Sequence, residues 1–236
     1  MNAIELLYAG HSAVFVTMSG VTIAIDPWLQ GNPLCPENLH EPAKVDIIAL
    51  THGHADHASD VVRVQACTGA TVAATYELAM ILINEGVPED KVLPMNKGGS
   101  VVVAENIAIT LTNAFHSSSY DTSTGPVYAG EACGIVVSDK TSAVYHAGDT
   151  LLFDDMKRIG ERYNLKCAFL PIGDRFTMGP QEAAEAAKLL RADLAIPIHY
   201  NTFPLLTGTY AEFSTACEGL SVPHRELSVG EVVSLS

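Results

Sequence analysis

Residues 51–57 read Thr51-His52-Gly53-His54-Ala55-Asp56-His57. Three histidines and an aspartate fall within six positions, in a chain with only nine histidines among 236 residues. Chance would place H-x-H-x-D-H in such a chain about 0.0007 times. The bland alternative is a group of packing or solvated histidines beside a helix-capping aspartate. That arrangement sets four titratable groups side by side and gains nothing in packing. The flanks favour a site. An apolar run from Val45 to Leu50 enters the cluster as a strand, and a helical pattern starts near Ala58. In an extended segment His52 and His54 point the same way. Gly53 lets the backbone bend and come close to a bound ion. Asp56 and His57 then project from the turn that opens the helix. Imidazole and carboxylate together suit Zn²⁺, Mn²⁺ or Fe²⁺.

Four residues are too few to hold two metals, so more ligands are sought at the ends of other predicted strands. Three positions qualify: His116 after the strand Ile107 to Thr112, Asp149 after Ala143 to Tyr145, and His199 after Leu194 to Ile198. Ligands at strand ends are what a rigid scaffold with a loop-built site provides.

Outward from these segments the chain alternates strands and helices. Strands are predicted at Ile4 to Tyr8, Ala13 to Thr17 and Val21 to Ile25, with Ser19-Gly20 as a hairpin turn. Further strands are predicted at Thr71 to Ala74, Ala132 to Ser138, Cys167 to Pro171 and Glu231 to Leu235. A hairpin over Ser100 to Leu111 turns at Glu105-Asn106. Helices are predicted at Ala58 to Ala66, Tyr76 to Glu85, Leu151 to Gly160, Pro180 to Leu190 and Tyr210 to Leu220. Pro180 suits a first helical turn, where its missing N–H costs nothing. The stretch from Ser117 to Gly130 is the longest polar loop, of a kind that either shapes substrate entry or serves as a mobile surface connection. One-faced helices among runs of strands imply a layered α/β architecture. The pattern leaves open whether there is one sheet or two.

Composition bounds the function. Hydrophobic residues at 48% against 17% charged exclude disorder and provide a sizeable core. Thirteen Lys and Arg face 27 Asp and Glu, a net charge of -14, which argues against nucleic acid as a partner. Two divalent cations would add about +4 at one spot, enough to draw in an anionic small-molecule substrate. Five cysteines form an odd set with no C-x-x-C pair; Cys133 and Cys167, in apolar runs, are expected to be buried, and reduced thiols point to the cytoplasm. The first residues lack the pattern of a secretory leader, and no apolar run approaches the length of a membrane span.

Together, Thr-His-x-His-x-Asp-His, a lone later histidine, Gly148-Asp149-Thr150 and a late histidine after a strand resemble the metallo-β-lactamase superfamily along nearly the whole chain. Gly10-His11-Ser12-Ala13, Ile25-Asp26-Pro27-Trp28, Phe176-Thr177-Met178-Gly179-Pro180 and the run His199-Tyr200-Asn201-Thr202-Phe203-Pro204 are similar to its short bacterial and archaeal branch. That branch resembles ascorbate-6-phosphate lactonases and N-acyl-phosphatidylethanolamine phospholipases D. The resemblance implies an α/β fold, a four-layer αββα sandwich of two mixed sheets flanked by helices. It implies one domain over residues 1–236 with pseudo-twofold halves near 1–112 and 113–236. By motif position, His52, His54 and His116 would bind one divalent ion, and Asp56, His57 and His199 a second, with Asp149 bridging. Zinc is the first expectation for both ions, with manganese, iron or nickel also fitting.

The implied activity is metal-dependent hydrolysis of an ester-type bond (a lactone, carboxylic ester or phosphodiester) by a metal-bridging hydroxide. Asp56 would orient that hydroxide and take its proton. His11 would face the metals or donate to substrate, and Asn201 would stabilise a developing oxyanion. For both, a structural role is an equal alternative. Asp26 is expected to orient a ligand histidine, His146 to pack or to orient a ligand, and His40 and His224 to be solvated. Two other functions compete. A di-iron oxidoreductase on this scaffold typically carries Glu at the position of His54 and an appended flavin domain, both lacking here. A silent metal-binding or regulatory protein usually loses ligands, whereas all seven are present. One departure from the branch is Asp174, where a second glycine is expected. The scaffold is compatible with a homo-oligomer.

Overall fold

The structure, a computed structural model, describes residues 4–235. Its first sheet starts with an antiparallel meander, β1 (Ile4–Gly10), β2 (Ala13–Met18) and β3 (Val21–Ile25). Ser19 and Gly20 join β2 to β3 with φ of 51° and 82°, the doubly left-handed turn that matches strand twist. Parallel strands β4 (Ile47–Ala49), β5 (Thr71–Thr75) and β6 (Val92–Met95) follow. Helices α1 (Ala55–Ala58), α2 (Val61–Thr68) and α3 (Tyr76–Asn84) lie between them. The chain then changes sheets. The hairpin β7 (Ser100–Ala104) and β8 (Ile107–Asn113) turns at Glu105-Asn106 as the sequence predicts, and β8 pairs with β11 (Cys133–Ser138). The changeover thus lies between Met95 and Ser100. The small hairpin β9 (Ser119–Thr122) and β10 (Gly125–Tyr128) stands apart from both large sheets. Next come β12 (Ala143–His146), α4 (Met156–Arg162), β13 (Leu165–Pro171), α5 (Pro180–Leu190), β14 (Ala195–Ile198) and α6 (Tyr210–Leu220). The last strand, β15 (Val232–Leu235), returns to pair with β1.

Strand order is β15-β1-β2-β3-β4-β5-β6 in one sheet and β14-β13-β12-β11-β8-β7 in the other. Three apolar clusters mark the three interfaces between four layers. Period-two residues such as Leu6, Val16, Ile23, Ile109, Ile135 and Phe169 meet between the sheets. The opposite faces carry Ile48, Leu50 and Val72 against Val64, Leu78 and Leu82 of α2 and α3. On the second sheet Tyr145 and Leu170 pack on Met156, Ala187 and Phe213 of α4, α5 and α6. This is the expected αββα sandwich.

Strand direction places the site. In the first sheet β1, β3 and β4 run the same way, so their C-terminal ends share an edge. In the second sheet β8, β12, β13 and β14 also run together. His11, Asp26 and His52 leave the first set of ends, and His116, Asp149 and His199 leave the second.

Candidate metal centre

The loop after β4 makes the first half of the site. His54 precedes α1 with extended backbone, and Asp56 and His57 lie in that helix's single turn. His52 Nε2 lies 3.0 Å from His54 Nδ1, so both rings turn toward one point. Gly53 has no room for a side chain. A side chain there would meet Ser119 O at 2.8 Å and Ala129 Cβ at 2.9 Å. The close approach is to the β9–β10 hairpin, which also bonds Gly53 N–H through Ser118 Oγ (3.2 Å). Those two strands occupy the predicted polar loop.

From the other sheet, Asp149 reaches into the cluster. Its Oδ2 lies 3.1 Å from His199 Nε2, 3.5 Å from His116 Nε2 and 4.0 Å from His52 Nε2. Its Oδ1 lies 3.4 Å from His57 Nε2. All seven residues singled out as ligands therefore converge, from stretches nearly 150 residues apart. Two groups of donor atoms, each within 4.8 Å of one another, flank Asp149: His52, His54 and His116 on one side, and His11, Asp56, His57 and His199 on the other.

The charge state of these groups follows from burial and proximity. Burial pushes His52, His54 and His116 below the ordinary imidazole range, so each keeps a free lone pair at neutral pH. Burial disfavours charge on His57 too, but Asp149 and Asp26 outweigh it and hold that ring well above its usual range. Asp149, despite burial, is drawn well below the usual carboxylate range by His199 and His57. His57 Nε2 and Asp149 Oδ1 are buried without a hydrogen-bond partner. Such orphaned atoms are costly, and a cation between them satisfies both. The donor set fits divalent metal.

Asp26 organises the first half from behind. It is fully buried and left-handed, with φ of 46°. Its Oδ1 accepts from Thr51 N (2.8 Å), and its Oδ2 accepts from Thr51 Oγ1 (2.6 Å) and His57 Nδ1 (2.8 Å). Thr51 Oγ1 in turn lies 2.9 Å from His52 Nδ1. One carboxylate thus turns the Nε2 atoms of His52 and His57 inward. Asp26, His52 and His57 also lie within 4.8 Å of one another, but both oxygens of Asp26 are already bonded, so this is a support and not a third metal position. The relay through Thr51 is absent from the sequence reading; its signal is the hydroxyl residue directly before His52.

His11 is buried, with left-handed backbone (φ 55°). Its Nε2 lies 3.1 Å from Asp56 Oδ2 and its Nδ1 2.8 Å from Thr202 Oγ1. Burial, then His199, pushes its pKa down to about 4. Trp28 and Phe203 pack against the ring at 5.4 and 5.5 Å. Trp28 is a further wall residue that the sequence reading used only as part of a motif. Asn201 is exposed, left-handed (φ 60°) and, among the described residues, makes no hydrogen bond. His146 does not join the site: its Nδ1 accepts from Gly148 N and its Nε2 donates to Ser12 O, tying the two sheets together. His40 and His224, expected to be solvated, are half-buried and hydrogen-bonded to Cys35 O and to Ser214 Oγ. Asp174, the departure noted above, is left-handed at φ 61° and accepts from Thr207 Oγ1 at 3.2 Å.

A family model described as the beta-lactamase superfamily domain matches residues 21–200. The chain belongs to the metallo-β-lactamase superfamily. Superfamily relatives carry the match further. A UPF0173 metal-dependent hydrolase of Anoxybacillus flavithermus is 46% identical over 232 residues, covering 98% of this chain and all of that one. A metal-dependent hydrolase of Pyrobaculum islandicum is 39% identical over 219 residues, 92% of this chain and 93% of its own. Among solved structures, Igni18, a metallo hydrolase from the hyperthermophilic archaeon Ignicoccus hospitalis, is 37% identical. It superposes with a TM-score of 0.89 over 99% of both chains. The chain is a metal-dependent hydrolase of this superfamily. No helix of the described residues is long and apolar enough to cross a membrane.

Two predictions arise from this geometry. A Cβ at Gly173 would lie 2.3 Å from His199 O and 3.1 Å from His199 Nδ1. Gly173→Ala is therefore expected to displace His199 and lower metal content, at a stability cost of about 1–3 kcal/mol. Thermal melting and elemental analysis check it; unchanged metal content would contradict the packing. The second concerns protons. In the metal-free protein His57 carries a proton that a metal on Nε2 must displace, because its pKa is raised. Apparent affinity should therefore fall as pH drops below that pKa, by about tenfold per unit. Calorimetric metal titrations in buffers of different ionisation enthalpy should find about one proton released at neutral pH. Enthalpies independent of buffer would contradict this protonation state.

Proposed function

We propose that this hydrolase cleaves an ester-type bond (a lactone, carboxylic ester or phosphodiester) at a centre of two divalent cations, zinc first among the candidates. The observation that carries the proposal is the Asp149 carboxylate set within 4.0 Å of ring nitrogens from His52, His57, His116 and His199. His52, His54 and His116 would hold one ion, and Asp56, His57 and His199 the other, with Asp149 shared. When bound, such ions supply an acidified water and polarise the bond under attack.

The chain's own groups do the rest. Asp56 is the ligand carboxylate best open to solvent, 28% exposed, and would take a proton from the attacking water. His11 Nε2 lies 3.1 Å from Asp56 Oδ2 and holds that carboxylate in place. Thr202 at the far nitrogen of His11 holds the ring in place. The side-chain amide of Asn201, without a hydrogen bond among the described residues, would serve as a donor to a developing oxyanion. The substrate is a small molecule, anionic ones included, since the cations offset the acidic surface locally. All five cysteines are free, which fits a reducing compartment such as the cytoplasm.

The test begins with elemental analysis of protein purified without added metal. A panel of lactones, carboxylic esters and phosphodiesters follows, with His54→Ala as control. Turnover that follows metal content supports the proposal. Full loading with two ions and no turnover anywhere on the panel refutes the ester-type reading.

A further inference from the structure

Two surface depressions meet at Lys97 and Asn113, near His116. The first, about 550 Å³, is lined by His116, Phe115, Lys97 and Asn113. The second, about 360 Å³, lies between β8 and α4 and shares Lys97 and Asn113 with the first. Phe153, Arg158 and Arg162 line its far side. The rings of Phe115 and Phe153 meet edge to face at 5.3 Å, so the two depressions also share an apolar wall. The result is one trough from a candidate metal ligand to the basic side of α4.

Its charge runs against that of the protein. In a chain of net charge -14 with 13 Lys and Arg, three of those cations line this trough. Two of them pair with carboxylates that also line the trough, Lys97 with Glu131 (2.6 Å) and Arg158 with Asp155 (3.0 Å), leaving an excess of one positive charge. Arg162 has no carboxylate partner among the described residues, and its guanidinium sits over the Tyr163 ring at 5.4 Å. Exposed ion pairs contribute little and exchange readily for another anion, and arginine binds carboxylate or phosphate in a two-pronged geometry.

We propose that the trough is a recognition subsite for the far end of the substrate: an anionic group on Arg158 and Arg162, joined to the scissile bond by an apolar segment lying over Phe115 and Phe153. This rests on the hydrolase centre described above and adds the substrate's shape. A bond at His116 and a charge at α4 select an elongated molecule over a compact one.

Calorimetry on the zinc-loaded protein tests the subsite without turnover. The probes are octanoate, octanedioate and omega-phosphono-octanoate, which present the same carboxylate to the metals and differ in their far end. Octanedioate or the phosphonate is expected to bind about three- to tenfold tighter than octanoate. That preference should shrink with added salt and vanish in the double variant Arg158→Ala/Arg162→Ala, with octanoate affinity unchanged. A preference for only one of the two dianions identifies carboxylate or phosphate as the group taken. Equal binding of all three probes by wild type, or a preference that survives in the variant, overturns the subsite. Turnover of the para-nitrophenyl monoester of octanedioate against para-nitrophenyl octanoate is measured separately. Absent turnover with the binding preference intact counts against ester hydrolysis and leaves the subsite standing.

Discussion

Replacing Asp149 by alanine is expected to empty both metal positions and to lower kcat/KM by more than about a thousandfold, some 4 kcal/mol of transition-state stabilisation. Asp149 is nearly inaccessible, and its two oxygens face the ring nitrogens of His52, His57, His116 and His199. Without it, two cations would be held mainly by neutral imidazoles at close range, with no negative charge between them to offset their repulsion. Loss of a single oxyanion donor already costs about a hundred- to a thousandfold in enzymes that depend on one, and loss of both ions removes more. Removal of a ligand from one side should behave differently. His57→Ala or His199→Ala is expected to deplete mainly one of the two ions and to leave the His52, His54 and His116 side occupied. Elemental analysis of the three variants beside wild type, with kcat/KM on any substrate found, checks the pattern. Equal metal content in all three would show that the ligands are assigned to the wrong ions.

The second large effect is expected from Asp26, which touches no metal in this assignment. Asp26→Ala leaves Thr51 N–H, Thr51 Oγ1 and His57 Nδ1 without their acceptor in a fully buried position. Breaking a buried charged network from one side costs about 3–5 kcal/mol. The left-handed backbone at residue 26 adds roughly 1–2 kcal/mol for alanine, since a short polar side chain tolerates that conformation better. For a chain of this size the loss should appear as a fall in Tm of roughly 10 °C or more. Metal affinity should drop by about ten- to a hundredfold, because His52 and His57 lose the partner that orients them. Asp26→Asn separates the two effects: it keeps the shape and one acceptor but removes one of the two charges, the other being Asp149, that hold the proton on His57. Its melting temperature should lie between those of wild type and the alanine variant. A Tm within about 2 °C of wild type for Asp26→Ala would be too small for a buried network and would show that Asp26 does not organise the site.

Parts of this molecule were legible because their causes are local. The doubly left-handed turn at Ser19-Gly20, the hairpin tip at Glu105-Asn106 and the bounds of α5 and α6 coincide with the sequence prediction. Pro180 fixes the start of α5, and Thr209 with Glu212 forms a capping box at α6. Other parts were not legible. The β9–β10 hairpin is short and partly exposed, so it lacks the apolar alternation that signals a strand. Helix α4 starts at Met156 instead of Leu151, because Thr150 bonds backbone groups of Phe115 and Met178 and keeps the chain extended after Asp149. Strand β6 was missed because Pro94 interrupts a four-residue run.

The residues at positions 51–57 determined by themselves that metal chemistry belongs to this chain. Donor type and a spacing of two are properties of adjacent residues, and they survive in any fold that leaves the segment at a strand end. Which distant groups complete the centre was decided only in three dimensions. Asp26 behind His57, His11 against Asp56, His146 against Ser12 and the trough beside His116 join residues 31, 45 and 134 positions apart and elements of different layers. Such contacts depend on strand order and direction across two sheets, and hydrophobic periodicity encodes which face of a strand is buried but not which strand lies next to it.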